Sequence, residues 1–430
     1  MNLLTESKLS QGERAKLFVR PSQKPSTTPA AVRTMCLDVK RSGDAAVQNY
    51  TRQFDSADAS MRRVTADEIE QGWSQLPAGV RQALEVAAKN ITAFHTAQRM
   101  GDSRVETMPG VRCWREARPI ERVGLYVPAG SAPLPSTLLM LAIPATLAGC
   151  TTIVVCSPPN REGNVDRYVL AAARLLGQHA IYSVGGAQAI AAMAYGTETI
   201  PKVDKIFGPG NRYVAAAKSF VASDPEGAAI DLIAGPSELL VIADASADPR
   251  IVASDLLSQA EHDPDAFVAL VTPQASLAAE VAKTLPTLLA ELPRKEIAEK
   301  ALKHAYALVT DSLDAAVRFS NDFAPEHLIV NTRDAEGLVP ALTNAGSVFL
   351  GRSAPVTAGD YASGTNHTLP TGGSARWSGG VSLQSFQKMV TFQSLTDAGL
   401  KNLAPTLTAL AEIEGLEAHK RAVESRLEIG

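Results

Sequence analysis

The 430-residue sequence is poor in aromatic residues and in cysteine, and it contains no block of like charge. Aromatic residues make up 5% of the chain, and its four cysteines (Cys36, Cys113, Cys150 and Cys156) form no CxxC motif. This pattern argues against a disulfide framework and favours a reduced, cytoplasmic compartment. The formal net charge of −4 comes from acidic and basic residues spread along the chain. A nucleic-acid partner is therefore not expected.

The sequence also lacks an export signal and an uninterrupted membrane span. Its amino terminus has no basic start followed by an apolar run and a cleavage site. Residues 136–156 are uncharged over the length of a span, but Pro144 and Gly149 interrupt them. The β-branched residues that follow predict a buried helix, a glycine turn and a buried strand. We therefore expect no membrane partner.

What the chain does contain is a regular alternation of short apolar runs and helical patterns. Up to residue 99 the pattern predicts helices without a strand, with a stop at Gly43 and Asp44. Beyond it, apolar runs predict strands at 123–127, 152–156, 181–184, 203–207, 230–234, 239–243, 267–271, 305–309, 328–330 and 347–350. This alternation predicts an α/β protein with two parallel-rich sheets covered by helices. The glycine- and threonine-rich residues 351–380 predict a binding loop, and 400–427 predict a helical tail.

Three predicted strands run directly into glycine turns followed by helical patterns, at 183–188, 207–211 and 234–238. Such turns aim backbone N–H groups at a ligand, although a single glycine more often only closes a tight turn. The dinucleotide fingerprint is incomplete, because Tyr213 stands where its third glycine belongs. The fingerprint alone therefore gives only weak support for nucleotide binding.

Several nitrogen and oxygen side chains have spacings compatible with a metal site. Gln259 and His262 are three residues apart near a predicted helix end and share a face. Asp360 and His367 lie in the polar loop, and His419 lies on the tail. Each has an ordinary alternative: His262 caps its helix, the loop residues form turns, and His419 faces solvent.

Glu326 and His327 are adjacent at the entrance to a predicted strand. Pro325 biases the preceding residue toward extended geometry, and the pair would point to opposite faces if both residues lay within the strand. Histidine has the unperturbed pKa that suits a general base near neutral pH. An ordinary surface pair is the alternative.

Taken in order, these segments resemble the histidinol dehydrogenase family. The motifs that carry the resemblance are GLYVP at 124–128, FGPGN at 207–211, IDLIAGPSE at 230–238, QAEHDP at 259–264, APEHL at 324–328, and GDY and GTNH within 359–367. Gly372 with Gly373 and the segment around His419 complete the set. The likeness begins near Arg33 and Thr34 and covers nearly the whole chain.

The resemblance implies an enzyme of histidine biosynthesis that oxidises L-histidinol to L-histidine with two NAD, through a bound aldehyde. It implies one zinc ion per subunit, held by Gln259, His262, Asp360 and His419. His419 would come from the partner subunit of an intertwined homodimer. Glu326 would activate water, and His327 would be the general base. The implied substrate contacts are Ser237, Gln259, His262, His327, Asp360, His367, Glu414 and His419, and the implied cofactor contacts are Tyr126, Gln188 and Asn211.

The fold implied by the resemblance consists of two incomplete Rossmann-like domains with small helical terminal segments. The expected division is an N-terminal segment 1–25, a first domain of 26–125 and 237–380, a second domain of 126–236, and a tail 381–430. Ala129, Trp377 and Gly379 depart from the family's usual residues, and the methyl group of Ala129 would crowd the nucleotide.

The sequence is also compatible with two other functions. The first is a relative that oxidises a different small alcohol, such as a sulfonated diol. His367 and Glu414 argue against it, because they are expected to contact the imidazole and amine of histidinol. The second is a non-catalytic, two-lobed protein that binds a metal and a ligand. The intact pair of Glu326 and His327 argues against that one.

Overall fold

The computed structural model describes residues 1–20, 28–55, 59–101, 103–129, 133–233 and 235–429. Its helices are α1 (Gln11–Lys16), α2 (Thr28–Phe54), α3 (Ala66–Ser74), α4 (Ala78–Thr96), α5 (Pro135–Ala148), α6 (Arg167–Leu175), α7 (Gly186–Tyr195), α8 (Arg212–Ser223), α9 (Pro249–Ala260), α10 (Ala275–Ala290), α11 (Lys295–Leu302), α12 (Leu313–Phe323), α13 (Val356–Tyr361), α14 (Asp397–Ile413) and α15 (Glu417–Ile429). Its strands are β1 (Asn2–Thr5), β2 (Val105–Met108), β3 (Val111–Pro119), β4 (Arg122–Tyr126), β5 (Thr152–Ser157), β6 (Ile181–Ser183), β7 (Lys205–Phe207), β8 (Ala229–Ile230), β9 (Glu238–Ala243), β10 (Phe267–Thr272), β11 (Tyr306–Val309), β12 (His327–Asn331), β13 (Ser347–Leu350) and β14 (Gln387–Leu395). The protein is α/β, as the sequence predicts.

A five-stranded parallel sheet has the strand order β6-β5-β4-β7-β8. The chain builds outward from β4 to β6 and then returns to the other side of β4 with β7. Ligands of open α/β sheets bind at such a switch point, beyond the carboxyl ends of the strands. Helices α2, α7 and α8 cover one face of this sheet, and α3 to α6 cover the other.

A six-stranded parallel sheet has the order β1-β11-β10-β9-β12-β13. Every residue of β9 and β10 is buried, as expected for strands covered on both faces. Helices α9, α10 and α11 pack on one face, while α12 and the N-terminal residues Leu4, Leu9 and Phe18 pack on the other. The N-terminal segment is thus part of this core.

All ten predicted strands are present, but four other strands were not predicted. β1 adds an edge strand where only helices were expected. β14, β3 and β2 form an antiparallel sheet whose strands consist mostly of exposed and partly buried residues, so no continuous apolar run marks them. The strand expected at 230–234 is only Ala229–Ile230, and Ala234 lies outside the described residues. Gly43, with φ of 51°, interrupts α2 at the predicted stop.

The packing differs from the expected division of the chain. Helices α2, α3 and α4 share cores with the five-stranded sheet, whereas residues 26–125 were assigned to the domain of 237–380. β4 also belongs to the five-stranded sheet, although 122–125 were placed outside it. Helical periodicity shows which face of a helix is apolar, but it does not show which sheet that face covers.

The tail is a pair of helices, α14 and α15, separated at Gly415, which has φ of 70°. Leu410, Ile413 and Leu416 around this turn are exposed, Ile413 to 81%. None of the described helices combines the length and apolar character needed to cross a bilayer. The predicted buried helix and strand at 136–156 are α5 and β5, joined at Gly149.

Candidate active site

The predicted acid–base pair lies at the amino edge of the six-stranded sheet. His327 is the first residue of β12, and it pairs in register with Leu239, next to the first residue of β9, Glu238. Helix α9 follows β9 and runs back antiparallel to it, so its last turn returns to the same edge. Gln259 lies in that turn, and His262 lies just beyond it.

Glu326 and His327 are buried and touch each other. Glu326 Oε2 accepts a hydrogen bond from the Glu238 N–H at 2.7 Å and lies 3.4 Å from His327 Nδ1. The pair does not point to opposite faces, because the strand begins only at His327. Before it, Ala324 turns the chain out of α12 with φ of 52°.

The Glu238 carbonyl fixes which nitrogen of His327 carries the proton. His327 Nδ1 lies 3.0 Å from this oxygen, and a carbonyl only accepts, so Nδ1 is the donor. His327 Nε2 has no hydrogen-bond partner among the described residues and lies 3.5 Å from Asp360 Oδ1. In the neutral ring, Nε2 is therefore the nitrogen that can accept a proton.

The ionisation of these groups is strongly perturbed. Burial raises the pKa of the Glu326 carboxyl, and the neighbouring His327 partly offsets this effect. Burial opposes the charged form of His327, but the carboxylates of Glu326 and Asp360 outweigh it and raise its pKa to about 10. Titratable groups perturbed by burial and a specific partner are typical of functional sites.

Two of the four predicted metal ligands, His262 and Asp360, lie near His327, and a third, Gln259, lies in the turn of α9 that returns to the same edge. The Gln259 side chain is 1% exposed, and its Oε1 has no hydrogen-bond partner in the described part of the chain. Burial lowers the pKa of His262, and the charge of Asp360 partly offsets this effect. Asp360 lies on the short helix α13. The sequence predicts an irregular loop at this position.

The two predicted site residues of the tail lie on the surface of the single chain. His419 on α15 and Glu414 at the end of α14 are both exposed. No group of three or more His, Cys, Asp or Glu side chains among the described residues is arranged to hold a metal. Gln259, His262 and Asp360 would therefore need a ligand from elsewhere.

The glycine-rich loop is held in place by specific contacts. A Cβ on Gly359 would lie 2.7 Å from the Phe349 ring, so glycine lets α13 approach β13. Asn366 Nδ2 donates to the Met140 carbonyl of α5 at 2.6 Å, which ties the loop to the other sheet. His367 follows it and is half-buried; burial lowers its pKa, and the charge of Asp360 partly offsets this effect. Ser237, half-buried before β9, lies at the same edge.

The predicted cofactor residues lie at the carboxyl edge of the five-stranded sheet. The hydroxyl of Tyr126, at the end of β4, accepts from the Gly186 N–H at 3.0 Å. Gln188, in the first turn of α7, is 2% exposed, and its Nε2 has no partner within the described ranges. Asn211 caps α8 and accepts from the backbone of Tyr213 at 3.0 Å. The structure thus brings all three residues to one edge.

Sequence reasoning missed the buried ion pair that supports this edge. Lys218 Nζ bonds the Gly208 carbonyl at 2.8 Å and pairs with Asp231, which accepts from the Gly208 N–H at 2.8 Å. Gly208 has φ of 123°, and a Cβ there would lie 2.1 Å from the Tyr126 carbonyl. The position of a lysine among the apolar residues of α8 could have indicated a buried ion pair.

Comparison with known proteins shows the family to which the chain belongs. The family model described as histidinol dehydrogenase matches residues 19–427. The histidinol dehydrogenase of Vibrio vulnificus (strain YJ016) is 50% identical over 429 residues, covering 100% of this chain and 99% of the relative. That of Vibrio cholerae is also 50% identical over 429 residues, with the same coverage.

A solved structure shows that the likeness extends to the fold. The crystal structure of histidinol dehydrogenase from Elizabethkingia anophelis superposes with a TM-score of 0.95 at 48% identity. The match covers 100% of this chain and 98% of that one. The chain belongs to the histidinol dehydrogenase family.

Proposed function

We propose that Glu326 and His327 carry out the reaction of this family, the NAD-dependent oxidation of L-histidinol to L-histidine. The observation that carries the proposal is the buried pair itself. His327 Nδ1 is held by the Glu238 carbonyl, which leaves Nε2 directed toward Asp360 and the other convergent side chains. An oriented imidazole with one free nitrogen is what removal of a hydroxyl proton requires.

In the first oxidation, His327 Nε2 takes the hydroxyl proton of histidinol. A hydrogen leaves the carbon that bears this hydroxyl as a hydride, taking both electrons of the C–H bond with it. Histidinaldehyde remains. NAD, when bound, supplies the hydride acceptor. Tyr126, Gln188 and Asn211 would hold it at the carboxyl edge of the five-stranded sheet.

In the second oxidation, the aldehyde must first gain a hydroxyl. Glu326 takes a proton from water as the water oxygen bonds to the aldehyde carbon. His327 gives the proton it took from histidinol to the carbonyl oxygen, so the product is the hydrated aldehyde and His327 is again neutral. Burial raises the pKa of Glu326, and this makes the carboxylate a stronger base than an exposed one. His327 then accepts a hydroxyl proton of the hydrate while the second hydride leaves, and the product is the carboxylic acid.

A zinc ion fits the convergent side chains. Gln259 Oε1 is a buried oxygen without a partner among the described residues, which is costly unless a ligand satisfies it. Gln259, His262 and Asp360 would hold the ion, with His419 from a second subunit as the fourth ligand. When bound, zinc would orient the amine and imidazole of histidinol and draw the Asp360 charge away from His327, bringing the pKa of the base nearer neutrality.

The second subunit completes the proposal. His419 is exposed beside Leu410, Ile413 and Leu416, and an exposed apolar surface of this kind suits a protein interface. The functional unit would be an intertwined homodimer in which Glu414 and His419 reach the partner's substrate. All four cysteines are free, in keeping with the proposed cytoplasmic location.

The stoichiometry of the reaction tests this function. Purified protein with L-histidinol and excess NAD should form two NADH for each histidine, without free aldehyde. One NADH per histidinol with released aldehyde would refute the four-electron assignment. Equal turnover of an uncharged small alcohol would instead indicate a relative with a different substrate.

A further inference from the structure

The backbone of Glu238 contacts both catalytic side chains at once. Its N–H donates to Glu326 Oε2 at 2.7 Å, and its carbonyl lies 3.0 Å from His327 Nδ1. A shift of this one residue would therefore move the acid and the base together. Whatever fixes Glu238 also fixes their relative geometry.

The Glu238 side chain is fixed by a buried fork of hydrogen bonds. Arg20 Nε and Nη2 donate to its two carboxylate oxygens at 3.1 and 3.3 Å, and the Gly372 N–H donates to Oε1 at 2.8 Å. The side chains of Arg20 and Glu238 are 4% and 2% exposed. A planar guanidinium bound in two places restricts both position and rotation.

Arg20 is itself held from several sides. Its guanidinium donates to the carbonyl of Phe323 at 2.7 Å and to that of Phe18 at 2.8 Å, and it stacks on the Phe323 ring at 3.7 Å. The N-terminal segment, which lies far from the site in sequence, is thereby linked to the residues that precede the catalytic pair.

We infer that Arg20 and Glu238 form a clamp that positions Glu326 and His327 for catalysis, with neither residue touching the substrate. Buried ion pairs contribute little net stability, because desolvation offsets much of their attraction. Stability alone therefore does not account for such a pair directly beneath the catalytic residues. The inference rests on the proposed function, since it takes His327 as the base.

The Arg20→Met variant tests the clamp in the full-length, zinc-loaded enzyme. We expect kcat to fall about 10- to 100-fold, because small displacements of reacting groups have effects of that size. The KM values for histidinol and NAD should change by less than about threefold, and the zinc content should be unchanged, since no ligand is altered. Arg20→Lys, which keeps the charge but loses the fork, should recover part of kcat.

Arg14→Met is the matched control. Arg14 lies in the same segment and pairs with Asp322 at 2.9 Å and Glu6 at 3.3 Å, but it does not contact Glu238. It should keep the parent kcat. If Arg20→Met fails to fold, the double variant Arg20→Met/Glu238→Gln removes both buried charges and should show the same loss of kcat.

A folded Arg20→Met or double variant with parent kcat would overturn the clamp, as would a rise in KM alone. His327→Asn separates this result from a failure of the proposed function. If His327→Asn is inactive while Arg20→Met is fully active, only the clamp is wrong. If His327→Asn is fully active, the assignment of the base is wrong whatever Arg20 does.

Discussion

The two parallel sheets of this protein have the same construction but present different edges to the site. The five-stranded sheet contributes its carboxyl edge, where Tyr126 and the glycine turns lie. The six-stranded sheet contributes its amino edge, where β9 begins at Glu238 and β12 at His327. An open α/β sheet usually binds ligands at the carboxyl ends of its strands. The fold alone therefore points to the edge proposed to bind the nucleotide, but not to the edge proposed for acid–base chemistry.

A short connection explains how the two edges meet. β8 ends at Ile230, and β9 begins at Glu238. Eight residue steps span at most roughly 27 Å when fully extended. The chain therefore passes from the carboxyl edge of one sheet to the amino edge of the other without crossing either sheet. The Asn366 contact with α5 and the Gly372 contact with Glu238 tie the glycine-rich loop to both.

A buried ion pair supports each edge, and the two pairs hold different parts of the backbone. Lys218 and Asp231 hold both backbone groups of Gly208, so they shape a turn. Arg20 holds Glu238, whose own backbone contacts the side chains of Glu326 and His327. Variants at the amino edge of the six-stranded sheet should therefore change kcat, whereas variants at the carboxyl edge of the five-stranded sheet should change KM for NAD.

The largest effect is expected at the amino edge, from His327→Asn. Asparagine cannot accept the hydroxyl proton, so kcat should fall by roughly 10²- to 10⁴-fold with little change in KM for NAD. Steady-state kinetics at saturating NAD measure this loss. His304→Asn, which changes an exposed histidine, is the control and should behave as the parent. A loss of less than about tenfold in His327→Asn would remove this residue from the role of base.

The origin of the fourth metal ligand is tested by complementation between two inactive variants. His419→Ala and His262→Asn should each lose zinc and activity when purified alone. Co-expressed chains form hybrid dimers in which one site combines an intact His262 with the other chain's intact His419. Random pairing should restore about a quarter of parental activity per subunit, because half the dimers are hybrids with one complete site each.

Two results would contradict this assignment. Mixed dimers as inactive as the separate variants would mean that His419 does not serve a partner's site. A His419→Ala variant that keeps its zinc would give α15 a purely structural role. Zinc content measured on the same samples distinguishes these outcomes.

The elements that could be predicted from the sequence are those marked by a pattern of neighbouring residues. The ten predicted strands are short apolar runs, and the proposed acid–base pair and metal ligands were reached through motifs that resemble a family. β1, β3 and β14 were missed because partner strands in other parts of the chain, rather than apolar runs, define them. The clamp was missed for the same reason: Arg20 and Glu238 are 218 positions apart. Periodicity carries no information on contacts at that separation.

Beneath the carboxyl edge, Lys218→Met should destabilise the fold. It leaves the Asp231 carboxylate buried without its cation, and breaking one partner of such a pair costs about 3–5 kcal/mol. Urea denaturation measures the change. Lys40→Met is the control: Lys40 pairs with Asp224 at 3.0 Å, but its side chain is 29% exposed, so its loss should cost at most about 1 kcal/mol. If the two variants lowered the free energy of unfolding equally, burial of the Lys218–Asp231 pair would not increase its contribution to stability.

The smallest effect is expected from Gln188→Ala at the carboxyl edge. Its Nε2 is buried without a partner in the described ranges, and donation to the cofactor would satisfy it. Losing one such bond should raise KM for NAD about tenfold and leave kcat within about threefold. Gln178→Ala is the control, since Gln178 is also buried but precedes β6 at the opposite edge of the same sheet. If kcat fell and KM for NAD did not change, Gln188 would belong to the chemistry, and the separation between the two edges would fail.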